Sequence, residues 1–121
     1  MSKDFEVAYL LDFYGDMLTE KQREAIECYY NADLSLSEIA FNLGITRQGV
    51  RDAVKRSEAL LYDMEEKLGL VKKSCIVKER LDRILSLTQK IHDANVRYAR
   101  SKEIHEATIE IENIVQDMCD L

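Results

Sequence analysis

The sequence predicts an all-α fold, and three observations lead there. Its 121 residues include no proline and only four glycines, too few for the tight turns of a β sandwich or barrel. Aromatic residues make up just 7% of the chain. Apolar side chains recur at three- and four-residue intervals along most of its length, the period of helices with one buried face. With 46% hydrophobic and 33% charged residues, the chain suits one small domain with an appendage rather than two sizeable cores.

Apolar residues at 5, 7, 9, 10, 11, 13 and 14 predict a short first helix buried on more than one side, ended by Gly15. Thr19 and Gln22 have the spacing of a capping box, in which each side chain satisfies the other's backbone amide. Ala25, Ile26, Tyr29 and Tyr30 continue that helix to a stop at Asn31 to Asp33. Ser35 and Glu38 repeat the box for a brief helix carrying Ile39, Ala40 and Leu43, closed by Gly44. Ile45 bridges a tight turn, and Thr46 caps the next helix. There Val50, Val54, Ser57, Leu61, Met64 and Leu68 form one seam, so the helix runs unbroken to Gly69. Beyond Gly69, Val77, Leu81, Ile84, Thr88 and Ile91 form one heptad-like seam, and Ile104, Thr108, Ile111, Val115 and Met118 form another. Two antiparallel helices hinged within Asp93 to Arg100 are expected, with one kinked helix as the alternative because that stretch holds neither Gly nor Pro, and the seams motivate a homodimer assembled through residues 77 to 118.

Several function classes drop out. The N-terminal residues lack the basic and apolar regions of a secretory signal, and no apolar run approaches the ~18 residues of a membrane span, so a soluble cytoplasmic protein without membrane attachment is expected. Cys28, Cys75 and Cys119 are an odd, widely spaced set, and His92 and His105 do not join them at zinc-site spacing. They read as reduced packing thiols, with neither metal nor cofactor expected. Phe5, Tyr9, Phe13, Tyr14, Tyr29 and Tyr30 fall on predicted core faces without interleaved Lys or Arg, which favours packing over a base-stacking platform. The acidic runs 63–66 and 103–112 have no accompanying His, Ser or Gly-rich loop. They read as hydrated helix faces, and no enzyme is expected.

The informative stretch is Leu36 to Lys55. Two helices that cross closely need a small residue at the crossing and a glycine where the turn goes left-handed, and Ala40 and Gly44 fill those places. Ile39, Leu43, Ile45 and Val50 are expected to form the small core of this helix-turn-helix. Charge then distinguishes it from an ordinary helical hairpin. Residues 45–56 carry Arg47, Arg51, Lys55 and Arg56 against Asp52, a local +3 in a chain of net charge −6. On a helical projection Val50, Val54, Ser57 and Leu61 share one arc, and Gln48, Arg51, Asp52, Lys55 and Arg56 the opposite one. The candidate DNA-binding residues are therefore Thr46, Arg47, Gln48, Arg51, Asp52, Lys55 and Arg56. Arg47 and Gln48 sit in the first turn near base edges, and Lys55 and Arg56 are suited to phosphate.

An ordered set of short motifs between residues 5 and 73 resembles the bacterial YlxM family. These are Tyr9 to Tyr14, Leu18 to Gln22, Tyr29-Tyr30, Asp33 to Ala40, Arg47 to Val50, Lys55-Arg56 and Glu65 to Leu68. The helix-turn-helix itself is similar to region 4 of the sigma-70 family, which reads the promoter −35 element. The family more often carries Ala, Tyr and Asn where Gly49, Arg51 and Ala53 stand here. The resemblance implies a sigma-70 region 4-like domain over residues 1–73; the C-terminal third matches only in being helical, and the two-helix extension expected over 74–121, with its part in dimerisation, rests on the heptad-like seams. The resemblance also implies a regulator whose gene commonly neighbours those of the signal recognition particle GTPases, and hence a part in that targeting pathway. Nothing resembles the separate domain that opens a promoter, so a regulator or adaptor is expected rather than a sigma factor. The alternative partner is a protein or RNA component of the particle in place of DNA.

Overall fold

The computed structural model describes residues 3–121 and is all-α, with no strand among the described residues. The helices are α1 (Glu6–Tyr14), α2 (Glu20–Tyr30), α3 (Leu36–Leu43), α4 (Arg47–Leu68), α5 (Leu70–Ala94) and α6 (Lys102–Cys119). A 3-10 turn, Gly15–Met17, follows α1, and a π turn, Asn95–Ala99, follows α5. The chain divides into two compact units, Met1–Val71 and Lys72–Leu121.

In the first unit α4 is the rod on which α1, α2 and α3 pack. The local signals that start and stop these helices form as their chemistry requires. Thr19 and Ser35 each complete a capping box, with Gln22 and Glu38 respectively. Gly44 (φ 67°) and Gly69 (φ 63°) adopt the left-handed conformation that releases the chain from α3 and α4, one a side chain with Cβ resists. Two apolar clusters line the rod. Val7, Leu10, Leu11, Tyr14, Leu18 and Ile26 surround Leu61. Further toward the N-terminus of α4, Ala25, Tyr29, Ile39 and Ala40 close on Val50 and Val54.

Gly15 ends α1 as expected; it stays right-handed (φ −56°), and the chain tightens there into the 3-10 turn. Three expectations need correction. The first helix is buried on one face only, through Val7, Leu10, Leu11 and Tyr14, and Phe5, Tyr9 and Phe13 lie exposed on the other. Ile45 is exposed as well, because the turn after Gly44 carries it out of the small core it was expected to join. Of the three cysteines, Cys28 packs partly against the second cluster, whereas Cys75 and Cys119 are exposed.

Tyrosine hydroxyls join the elements of this unit. Tyr14 donates to Glu65 Oε1 at 2.7 Å and accepts from the Leu70 amide at 3.0 Å, while the same carboxylate oxygen accepts from the Val71 amide at 3.0 Å. Tyr30 donates to Glu58 at 2.7 Å, and Tyr62 donates to Asp4. Each phenol is thereby held protonated beyond its usual value of 10.0. For Tyr14 and Tyr30 loss of hydration leads and the carboxylate adds to it; Tyr62 is pushed to about 12, chiefly by its bond to Asp4. A folded pKa above the unfolded one gives stability that is complete below pH 10 and lost as pH rises through the folded values. The melting temperature is therefore expected to hold between pH 7 and 9 and to fall from about pH 10 upward. A Tyr30→Phe variant followed by circular dichroism should fall less steeply.

In the second unit, α5 and α6 are joined through the π turn, and the His92 and His105 rings on either side of it lie 5.2 Å apart. The hinge falls at the π turn. There Asn95 donates to the Ser101 carbonyl at 2.9 Å and accepts from its amide at 2.8 Å, and Arg100 takes the left-handed conformation (φ 48°) where a glycine would be usual. Each heptad-like seam splits between two surroundings. Leu81, Thr88, Thr108 and Val115 are buried, but Val77, Ile84 and Ile91 on α5 and Ile104, Ile111 and Met118 on α6 are exposed. The buried threonines bond to backbone carbonyls one turn earlier, Thr88 to Ile84 and Thr108 to His105. Among the described residues, no helix is long and apolar enough to cross a membrane.

Candidate nucleic-acid interface

The turn between α3 and α4 aims the start of α4. Ala40 is buried against the rod, its small side chain allowing the close approach expected of a helix-turn-helix, and both the Gly44 and Ile45 amides donate to its carbonyl. Thr46 is extended (φ −77°, ψ 156°), and its Oγ1 accepts from the Gly49 amide at 2.9 Å. That bond fixes the first turn of α4 and with it the origin of Arg47 and Gln48. Thr46→Ala should leave the Gly49 amide without its partner and cost about 1 kcal/mol, read as a lower urea midpoint at unchanged slope.

All seven sequence candidates are exposed. Val50, Val54, Ser57 and Leu61 face inward from the same helix, and each is fully buried. The Ser57 hydroxyl accommodates itself there by donating to the Ala53 carbonyl at 2.7 Å. Arg47, Arg51, Lys55 and Arg56 project from the outer side. Among the described residues none of these four is in an ion pair, whereas Lys3, Arg23 and Lys67 each pair with an aspartate. Cations left unneutralised within an anionic chain attract polyanions.

Gln48 and Asp52 are less free. The Gln48 amide donates to the Asp52 carboxylate at 2.9 Å across one helical turn. That fixes the side-chain amide while its carbonyl and second N–H remain available, and it places an anion among the cations. Leu36, Arg47, Gln48 and Arg51 line a shallow cleft between α3 and α4, so the base-reading candidates border both helices of the motif. Sequence reasoning did not single out Glu58 and placed Glu65 on a hydrated face with the run 63–66, whereas they receive tyrosine hydroxyls from α2 and α1 respectively.

Similarity to known proteins agrees with this geometry. A family model described as "helix-turn-helix protein, YlxM / p13 like" matches residues 1–108. The chain belongs to that family. A UPF0122 protein of Acetivibrio thermocellus is 45% identical over 116 residues, covering 96% of this chain and 99% of its own. A relative in Caldanaerobacter subterraneus is 53% identical over 85 residues, 69% of this chain and 73% of its own. One in Halalkalibacterium halodurans is 41% identical over 104 residues, 86% of this chain and 89% of its own. The match to the YlxM / p13-like family extends past α4 through α5 and into α6.

Proposed function

We propose that this chain is a non-enzymatic, cytoplasmic DNA-binding regulator that lays the N-terminal half of α4 in the major groove. The observation that carries this reading is the set of four exposed cations on the outer face of α4, none in an ion pair among the described residues, in a chain of net charge −6. Arg47 and Gln48 approach base edges from the first turn, as the start of a recognition helix does, and Arg51, Lys55 and Arg56 meet phosphate. Thr46 positions that turn, and Asp52 orients Gln48.

Dimerisation belongs to the same proposal. The outward halves of the two seams put Val77, Ile84, Ile91, Ile104, Ile111 and Met118 in water, more apolar surface than a two-helix hairpin can cover by itself. A second hairpin laid against them makes a four-helix bundle and doubles the phosphate contacts. Sedimentation of the full chain is expected to give twice 14.0 kDa, and Ile84→Asp/Ile111→Asp should give the monomer.

The experiment is a titration of labelled duplex DNA at several salt concentrations. Four neutralised phosphates per protomer give a slope of log affinity against log salt of about −3.6. Absent or salt-insensitive binding overturns the reading. The net charge favours one other reading, an adaptor that binds a protein or RNA component of the signal recognition particle. Association with the particle, together with indifference to DNA, would select it.

A further inference from the structure

The first unit carries a second surface that duplex binding does not use. Phe5 is 79% exposed, Tyr9 66%, Phe13 44% and Met17 67%. The aromatic three are spaced by four, so at 100° per residue they fall within an arc of about 80° on α1, on the side away from Val7, Leu10, Leu11 and Tyr14. Met17 continues the line through the 3-10 turn. Together these side chains expose on the order of 500 Å² of apolar surface, the range in which a patch marks an interaction site.

Charge identifies the occupant. Glu6 projects along one flank of the aromatic arc and Asp12 along the other, both exposed and neither in an ion pair among the described residues. Asp16, beside Met17, is 88% exposed at its side chain even while paired with Arg23. Residues 3–17 hold four acids against the single Lys3. Acids on both edges repel nucleic acid and anionic lipid, and a second copy laying its own stripe here would bring the same acids, Glu6 and Asp12, against these. From Phe5 to Met17 the ridge is about 18 Å long, three helical turns, and its i, i+4, i+8 spacing suits the groove of another helix.

We infer that this stripe docks a basic amphipathic helix of a partner protein, with apolar side chains on Phe5, Tyr9 and Phe13 and Lys or Arg reaching Glu6 and Asp12. The surface is separate from the recognition turn. α1 packs near Leu61, about 15 Å along the rod from Arg51, so one molecule can hold DNA and this partner together.

The test uses the full chain and two synthetic 18-residue helix-forming peptides with the same leucine face, one flanked by Lys and Arg, its twin by Glu. Fluorescence anisotropy should give at least tenfold tighter binding of the basic peptide. Phe5→Ser/Tyr9→Ser/Phe13→Ser, which alters only exposed positions, should weaken that binding at least tenfold while duplex affinity stays unchanged. Glu6→Lys/Asp12→Lys should invert the preference between the twins. Equal binding of the twins, no binding of the basic peptide, or undiminished binding by the serine variant would overturn the inference. So would attachment to phosphatidylserine vesicles, or a dimer that dissociates in the serine variant, since lipid or a second copy would then be the occupant. Failure of DNA binding in the wild-type chain bears on the recognition helix and leaves this result independent.

Discussion

Replacing Arg51 and Lys55 together by glutamate is expected to weaken duplex binding roughly 100-fold at about 0.1 M salt without lowering the melting temperature. Two attractions are lost and two repulsions gained, each about 1 kcal/mol for a charge pair in water, and salt screening removes part of the total. The slope of log affinity against log salt should fall in magnitude from about 3.6 to about 1.8 per protomer, because two fewer phosphates release their counterions. The fold should tolerate the change, since both side chains are exposed and, among the described residues, form no ion pair. A control with the same change in net charge, Lys21→Glu/Lys78→Glu, alters exposed cations on α2 and α5 and should shift affinity only a few-fold. If the two variants lost affinity equally, binding would depend on overall charge and the α4 face would have no special role.

How much of this was legible in the sequence follows from the range of each interaction. Capping boxes at Thr19 and Ser35, the cap at Thr46 and the left-handed glycines 44 and 69 act within four residues, so spacing alone locates them. The inner seam of α4 was equally readable from Val50 to Leu61, because a helix with one apolar arc has one way to face a core; Leu68, expected to continue it, is exposed. α1 was not. Seven apolar residues in ten leave no polar arc to mark the outside, and only packing against α4 determines that Leu11 goes in while Phe13 stays out. Ile45 misled for a related reason, since its direction depends on the turn at Gly44 and not on a period.

The interactions that span the first unit were also invisible. Tyr14 finds Glu65 across 51 residues, Tyr30 finds Glu58 across 28, and Tyr62 finds Asp4 across 58. Nothing local separates such a glutamate from a solvated one. The candidate interface divides along the same line. The basic outer face of α4 could be read from composition and period, and the Gln48–Asp52 bond could have been drawn from their four-residue separation. The cleft with Leu36 required the crossing of two helices.

Leu61→Ala is expected to destabilise the first unit by about 2–5 kcal/mol, lowering its melting temperature by at least about 10 °C. Leu61 is fully buried, and α1, the Leu18 segment and α2 all close on it. Truncation removes its apolar contacts and leaves a cavity that three separate elements would have to move together to fill. Its neighbour on the chain, Leu60, provides the comparison. It is exposed, and Leu60→Ala should change stability by less than about 1 kcal/mol although the same atoms are deleted. The consequence for function is more informative than the loss of stability. Leu61 belongs to the cluster that holds α1, whereas Ile39, Ala40, Val50 and Val54 hold the helix-turn-helix together about 10 Å or more toward the other end of the rod. Hydrogen exchange should therefore find α1 amides deprotected first in Leu61→Ala, while duplex affinity well below the melting temperature changes less than threefold. Ile39→Ala, of similar cost, should instead lose affinity in proportion to stability, since it loosens the crossing that aims Arg47 and Arg51. If Leu61→Ala lost affinity as steeply, the two clusters would be one cooperative core, and the α1 surface could not act independently of the recognition helix.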